Sequence, residues 1–323
     1  MATVRRRIRT NGVELDVTDA GAPGDPVVVL VHGFPESSHS WRHQIEPLVA
    51  AGYRVLAPDQ RGYGASSAPR DVAAYRTDHL CADLVGLLDD IDTRQAVVVG
   101  HDWGALVAWD LARLHPDRVR ALVNVSVPYT PWPAPPTELF RVTYGDRFFY
   151  MLYFQPVGPA EAELEADADE TMRRILWGAS GEMYGPPPDP LPPMEGTGFL
   201  DSITRGRPVP DGLPPWLTEE DFRVYVEQFT TSGFFGPLSW YRNLDADHEL
   251  TKDLAAPAMP TAFIGGTRDG VIAGRPEYVD AMATLLPDFR GTRMIEEAGH
   301  WTQQEQPAEF NAALLDLLHA VTT

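Results

Sequence analysis

The pentapeptide Gly100-His101-Asp102-Trp103-Gly104 lies between an apolar run, Ala96–Val99, and a helical pattern, Ala105–Leu114. Strand, tight turn and helix in that order present the central residue of G-x-Nu-x-G as a nucleophile at the top of a sheet. Glycines suit the turn because neighbouring backbones crowd it. The central residue is Asp102, and G-x-S-x-G occurs nowhere in the chain. Five residues alone also fit an ordinary turn with a capping aspartate, so their company matters.

Two further signals supply that company. His32-Gly33-Phe34-Pro35 follows the apolar run Val27–Val31. A loop there can aim a backbone N–H at a reacting oxygen, so the N–H groups of Phe34 and Trp103 are expected to form an oxyanion hole. His300, in Gly299-His300-Trp301-Thr302, follows the last strand pattern, and Asp269 follows the strand pattern Thr261–Gly265. The chain order Asp102, Asp269, His300 is that of nucleophile, acid and base in this architecture. His32 and His101 are expected to brace the loops. No metal-ligand spacing such as H-E-x-x-H is present.

An aspartate, with an unperturbed pKa of about 3.9, is ionised at neutral pH without help from a base. Its carboxylate can attack an sp³ carbon and become an ester. A histidine held by a second carboxylate can then activate water to hydrolyse that ester. A serine would be left as an ether, with no carbonyl for water to attack. Asp102 therefore points to attack on an epoxide or alkyl halide rather than to ordinary ester cleavage. Water supplies the new oxygen, so no cofactor and no metal are expected.

These residues need a scaffold. Residues 4–9 and 13–18 flank Asn11-Gly12, the dipeptide of a tight hairpin turn. Strand patterns at Val27–Val31, Arg54–Ala57, Ala96–Val99 and Leu122–Val127 alternate with helical patterns such as Thr77–Leu88. Nearly continuous apolar strands suit a parallel sheet covered on both faces. After Pro128 the pattern breaks. Residues 129–245 predict helices and no strand, including one helix over Glu161–Trp177 and another N-capped by Thr218, with Phe222, Tyr225, Val226 and Phe229 on one face. Pro186–Pro193 predicts an irregular loop. Strands resume at Thr261–Gly265 and Thr292–Ile295, and a last helix covers Pro307–Ala320. The expected fold is thus an α/β core, residues 1–128 and 246–323, with a helical lid, residues 129–245, over the strand ends where such sheets bind ligands.

The 323 residues carry a net charge of −20, which disfavours nucleic acid and anionic membrane as partners. Lys252 is the only lysine, and the arginine-, alanine- and proline-rich composition resembles that of a GC-rich bacterial genome. A single cysteine, Cys81, excludes an internal disulfide. With no signal-peptide pattern and no membrane-span pattern, the chain is expected to be soluble and cytoplasmic. A homodimer is compatible with the sequence.

At these residues the chain resembles the soluble epoxide hydrolase family of the α/β-hydrolase superfamily. The likeness covers most of the length. It includes His32-Gly33-Phe34-Pro35-Glu36-Ser37, Gly62-Tyr63-Gly64-Ala65-Ser66, the Asp102 turn and Gly299-His300-Trp301-Thr302-Gln303. Two motifs of the lid extend it: Tyr150-Met151-Leu152-Tyr153-Phe154-Gln155 and Gly236-Pro237-Leu238-Ser239-Trp240-Tyr241-Arg242-Asn243. The resemblance implies that Tyr150 and Tyr241 hydrogen-bond the epoxide oxygen and give it a proton, with Tyr153 the rival for the first role. It also implies an apolar pocket with Phe34, Trp103, Met151, Tyr153 and Trp301 in its lining, taking an uncharged epoxide and water. Met151, Ser239 and the segment Pro156-Val157-Gly158-Pro159 depart from the family pattern, which bears on pocket shape. A dehalogenase would share Asp102 and His300 but needs a halide cradle in place of the tyrosines. A non-catalytic binding member of the superfamily would lack part of the set.

Overall fold

The computed structural model describes residues 3–186 and 190–323. Val4–Thr10 (β1) and Val13–Ala20 (β2) pair antiparallel across Asn11-Gly12. Both turn residues have positive φ, 44° and 76°, the conformation for which this dipeptide is suited. β2 then pairs antiparallel with β4 (Arg54–Pro58). From β4 onward the sheet is parallel, through β3 (Val27–Val31), β5 (Ala96–His101), β6 (Val119–Val125), β7 (Thr261–Gly266) and β8 (Phe289–Ile295). The order is β1-β2-β4-β3-β5-β6-β7-β8.

Successive residues of a strand face opposite sides, and here the two sides are two cores. Val28, Leu30, Val97 and Val99 pack with Leu48, Phe310 and Leu314 on one face. Val29, Val31, Val98 and Leu122 pack with Leu84, Val107 and Trp109 on the other. Burial on both faces explains the unbroken apolar runs of β3 and β5. The strand expected at Leu122–Val127 instead ends at Val125, because Ser126 turns to φ 68°.

Between β6 and β7 the described residues form helices and one isolated bridge, Arg147 to Pro193. The single helix expected over Glu161–Trp177 is two, Pro159–Leu164 and Ala168–Gly178. Side chains cause the break. Asp167 accepts the N–H groups of Asp169 and Glu170 as an N-cap, and the Thr171 hydroxyl donates to the carbonyl of Leu164. Thr218 caps the helix Glu219–Ser232, which buries Phe222, Tyr225 and Phe229. Residues 187–189 of the expected proline-rich loop lie outside the described residues. The helix Leu244–Thr251 runs across residue 245 and packs on both Pro136–Tyr144 and Trp103–Leu114. Among the described residues no helix is long and apolar enough to cross a membrane.

Candidate active site

Asp102 follows β5 and opens the helix Trp103–Leu114 with φ 53° and ψ −119°. A non-glycine residue in this region costs on the order of 1–3 kcal/mol and persists only when its surroundings force it. Close packing around the turn does so. A Cβ on Gly104 would overlap the carbonyl of Val31, and one on Gly33 would overlap the Asp102 side chain itself. The loop after β3 can therefore close onto the carboxylate only as glycine. Phe34 N–H donates to Asp102 Oδ1 at 2.7 Å. Trp103 is the first helical residue, so its N–H has no acceptor within the helix.

The loops after β7 and β8 bring up the other two groups. His300 Nε2 lies 3.4 Å from Asp102 Oδ2, and His300 Nδ1 lies 3.2 Å from Asp269 Oδ1. Asp269 is fully buried and also accepts the N–H of Val271 at 2.9 Å. An imidazole thus spans two carboxylates. Burial pushes Asp102 up, but the hydrogen bond and charge of His300, with the Phe34 N–H, hold its carboxyl below the usual range. Asp269 is likewise lowered: burial opposes ionisation and His300 outweighs it. Burial disfavours the His300 cation, yet Asp269 and Asp102 raise its pKa well above the ordinary imidazole value.

Tyr241 is buried over this group, its ring 5.4 Å from Phe34 and 4.9 Å from Trp103. Tyr150 meets it at 5.9 Å and 77°. Burial and then the charge of Asp102 drive both phenols upward, so both stay protonated. Tyr153 has different company: its ring packs on Phe148 at 5.4 Å, and after burial it is Glu163 that raises it. Met151 is half-buried in the same apolar cluster. Trp301 is buried behind His300, ring centroids 4.9 Å apart, and donates Nε1–H to the carbonyl of Leu176 at 2.9 Å.

Sequence reasoning assigned no part to Glu36, although it lies in the first motif. Its carboxylate, fully buried, meets His101 Nδ1 at 2.7 Å and accepts the Gln304 amide at 2.8 Å. His101 Nε2 in turn reaches the main-chain carbonyl of His300 at 2.8 Å. His32 accepts the Gln60 N–H at 3.0 Å. His101 and His32 therefore brace the loops that carry the site.

A family model described as α/β hydrolase fold matches residues 26–157. Epoxide hydrolase A of Mycobacterium tuberculosis is 48% identical over 328 residues, with 98% of each chain covered. The chain belongs to the epoxide hydrolase family of the α/β-hydrolase superfamily. Epoxide hydrolase B of the same organism is 39% identical, covering 98% of this chain and 99% of the relative. The crystal structure of epoxide hydrolase A from Mycobacterium thermoresistibile superposes with a TM-score of 0.90 at 48% identity, over 98% of both chains. An epoxide hydrolase from an endophytic Streptomyces gives 0.90 at 38% identity, over 98% of this chain and 95% of that one. This enzyme thus shares nearly its whole length, and not the core alone, with these epoxide hydrolases.

Proposed function

We propose that this enzyme converts uncharged epoxides to vicinal diols in two steps through an ester on Asp102. The observation that carries the reading is the division of labour between the two oxygens of one carboxylate. Oδ1 is held by the Phe34 N–H, and Oδ2 faces His300. In the first step Oδ2 attacks a ring carbon and the C–O bond of the epoxide breaks. Tyr150 and Tyr241 hold the departing oxygen, and one gives its phenolic proton to the alkoxide, a far stronger base than a phenol of pKa about 10. The phenolate is reprotonated from His300, which leaves that imidazole neutral.

In the second step neutral His300, oriented by Asp269, takes one proton from water, and the hydroxide attacks Cγ of Asp102. Phe34 and Trp103 N–H groups stabilise the oxyanion on Oδ1. The Cγ–Oδ2 bond breaks, the remaining hydroxyl proton goes to the diol, and the water oxygen stays in the carboxylate. Ester formation also prepares the base. It removes one of the two anions that raise His300, so the imidazole becomes easier to keep neutral when a base is needed.

Residues 129–245 act in this reading as a lid that brings the tyrosines over the nucleophile. Aromatic walls from Phe34, Trp103, Phe154 and Phe199 around the tyrosines suit an apolar substrate. Turnover of aryl, terminal and fatty-acid epoxides, with halide release from matched haloalkanes alongside, tests it. Diol formation without halide release is expected; halide release without diol would reject the reading.

A further inference from the structure

Glu305 has no part in the steps above, yet its carboxylate holds the main chain on both sides of His300. Oε2 accepts the N–H of Gly299 at 2.9 Å, and Oε1 accepts that of Trp301 at 3.0 Å. The same Oε2 accepts the N–H of Gly181, at 2.9 Å, from the inserted region. One carboxylate therefore joins the two chain neighbours of the histidine to a segment far away in sequence.

The two segments also meet directly. His300 N–H donates to the carbonyl of Ala179 at 3.0 Å, and Trp301 Nε1–H to that of Leu176 at 2.9 Å. Backbone packs on backbone here: a Cβ on Gly299 would overlap the nitrogen of Gly181. Three N–H donors converge on Glu305 where the two backbones touch. Burial pushes the Glu305 carboxyl up to about 7 while the three N–H donors pull it down. Above neutral pH it accepts all three as a carboxylate, and such charge-assisted hydrogen bonds are roughly twice as strong as neutral ones.

The tyrosines are tied elsewhere. Gln155 donates to the carbonyls of Met151 at 2.7 Å and Tyr241 at 2.9 Å, linking the segments that carry Tyr150 and Tyr241 to each other. Loosening the contacts of Glu305 would therefore move His300 and leave the tyrosine pair in place.

We propose that Glu305 is a positioning residue for the water-activating step, clasping Gly181, Gly299 and Trp301 so that His300 is fixed against the inserted region. The inference rests on the two-step reading above. Rapid-quench measurement with one aryl epoxide, on wild type, Glu305→Gln and His300→Ala, follows formation and decay of the Asp102 ester separately. In Glu305→Gln decay should slow about 10- to 100-fold while formation stays within about 3-fold, the size of effect expected from a small misplacement of a reacting group. KM should then fall together with kcat as ester accumulates, a split that lost stability alone does not produce. Glu305→Asp keeps the charge but draws it back by one methylene, so it should show the same split to a smaller degree. Equal slowing of both steps, or unchanged decay with only a lower melting temperature, would overturn the proposal. If His300→Ala never yields an ester, the two-step reading fails and takes this inference with it. An ester in His300→Ala, with wild-type decay in both Glu305 variants, defeats the role of Glu305 alone.

Discussion

Phe34 N–H and Asp102 Oδ1, 2.7 Å apart, form a hydrogen bond that splits a symmetric carboxylate into two different oxygens. In the proposed reaction the first is seated where negative charge is later stabilised. The other is left 3.4 Å from His300 Nε2, and in that reaction it is the oxygen that attacks the epoxide carbon. Asp102→Ala removes both and should lower turnover by roughly 10⁴-fold or more, as loss of a covalent nucleophile does elsewhere. Steady-state kinetics on a purified, folded variant checks this.

The approach of the Phe34 loop depends on Gly33. An added methyl group would overlap the Asp102 side chain, so the loop must retreat and take the N–H of Phe34 with it. Gly33→Ala should cost about 10²- to 10³-fold in kcat, the usual effect of losing one oxyanion donor. A circular dichroism spectrum matching wild type would show that the fold survived.

In the proposed mechanism His300→Ala removes the base but leaves the nucleophile. The first step should proceed and the second should stall, so intact-protein mass spectrometry should find the mass of the epoxide added to the chain. Peptide mapping should place it on residue 102.

The pH dependence has a definite sign. His300 must be neutral to take a proton from water, and Asp269 holds its pKa up. Removing that charge in Asp269→Asn lowers the pKa, so the acid limb of the hydrolysis rate should move to lower pH even as the maximal rate falls. Stability follows the same charges. The raised pKa of His300 stabilises the fold below the unfolded value of about 6.5, and this is lost as pH rises through the folded value. The lowered pKa values of Asp102 and Asp269 contribute above about 3.9, and are lost as pH falls. The melting-temperature gap between wild type and Asp269→Asn should therefore be widest between about pH 4 and 6.5.

Two phenols that hold one epoxide oxygen, as proposed for Tyr150 and Tyr241, should be partly redundant. Either Tyr150→Phe or Tyr241→Phe should slow ester formation by about 10-fold or more, and the double variant should approach the 10²- to 10⁴-fold typical of a lost general acid. Equal rates in all three variants and wild type would mean that neither hydroxyl reaches the epoxide.

The core of the fold was legible because its signals are local. Asn11-Gly12 needs positive φ, and β3 and β5 are apolar along their length because both faces are covered. Asp102 stood out because strand, glycines and helix surround it within a few residues. The break after Leu164 was not legible, because the acidic-to-basic order of Glu161–Trp177 suits the dipole of one continuous helix, whereas Asp167 caps a second helix and Thr171 turns its hydroxyl back to the Leu164 carbonyl. Glu36 and Glu305 were hidden for a different reason. Each acts on main-chain or side-chain groups brought near by the tertiary fold, His101 and Gln304 for the first and Gly181 for the second. Their types and spacing in the sequence mark them only as surface-compatible acids.

A covalent ester on Asp102 is decided by one turnover in H₂¹⁸O with enzyme in excess over epoxide. ¹⁸O should enter the carboxylate of Asp102, found by mass spectrometry of its peptide, while the first diol carries none. A labelled diol with an unlabelled Asp102 would contradict that ester, because water would then have attacked the epoxide carbon itself.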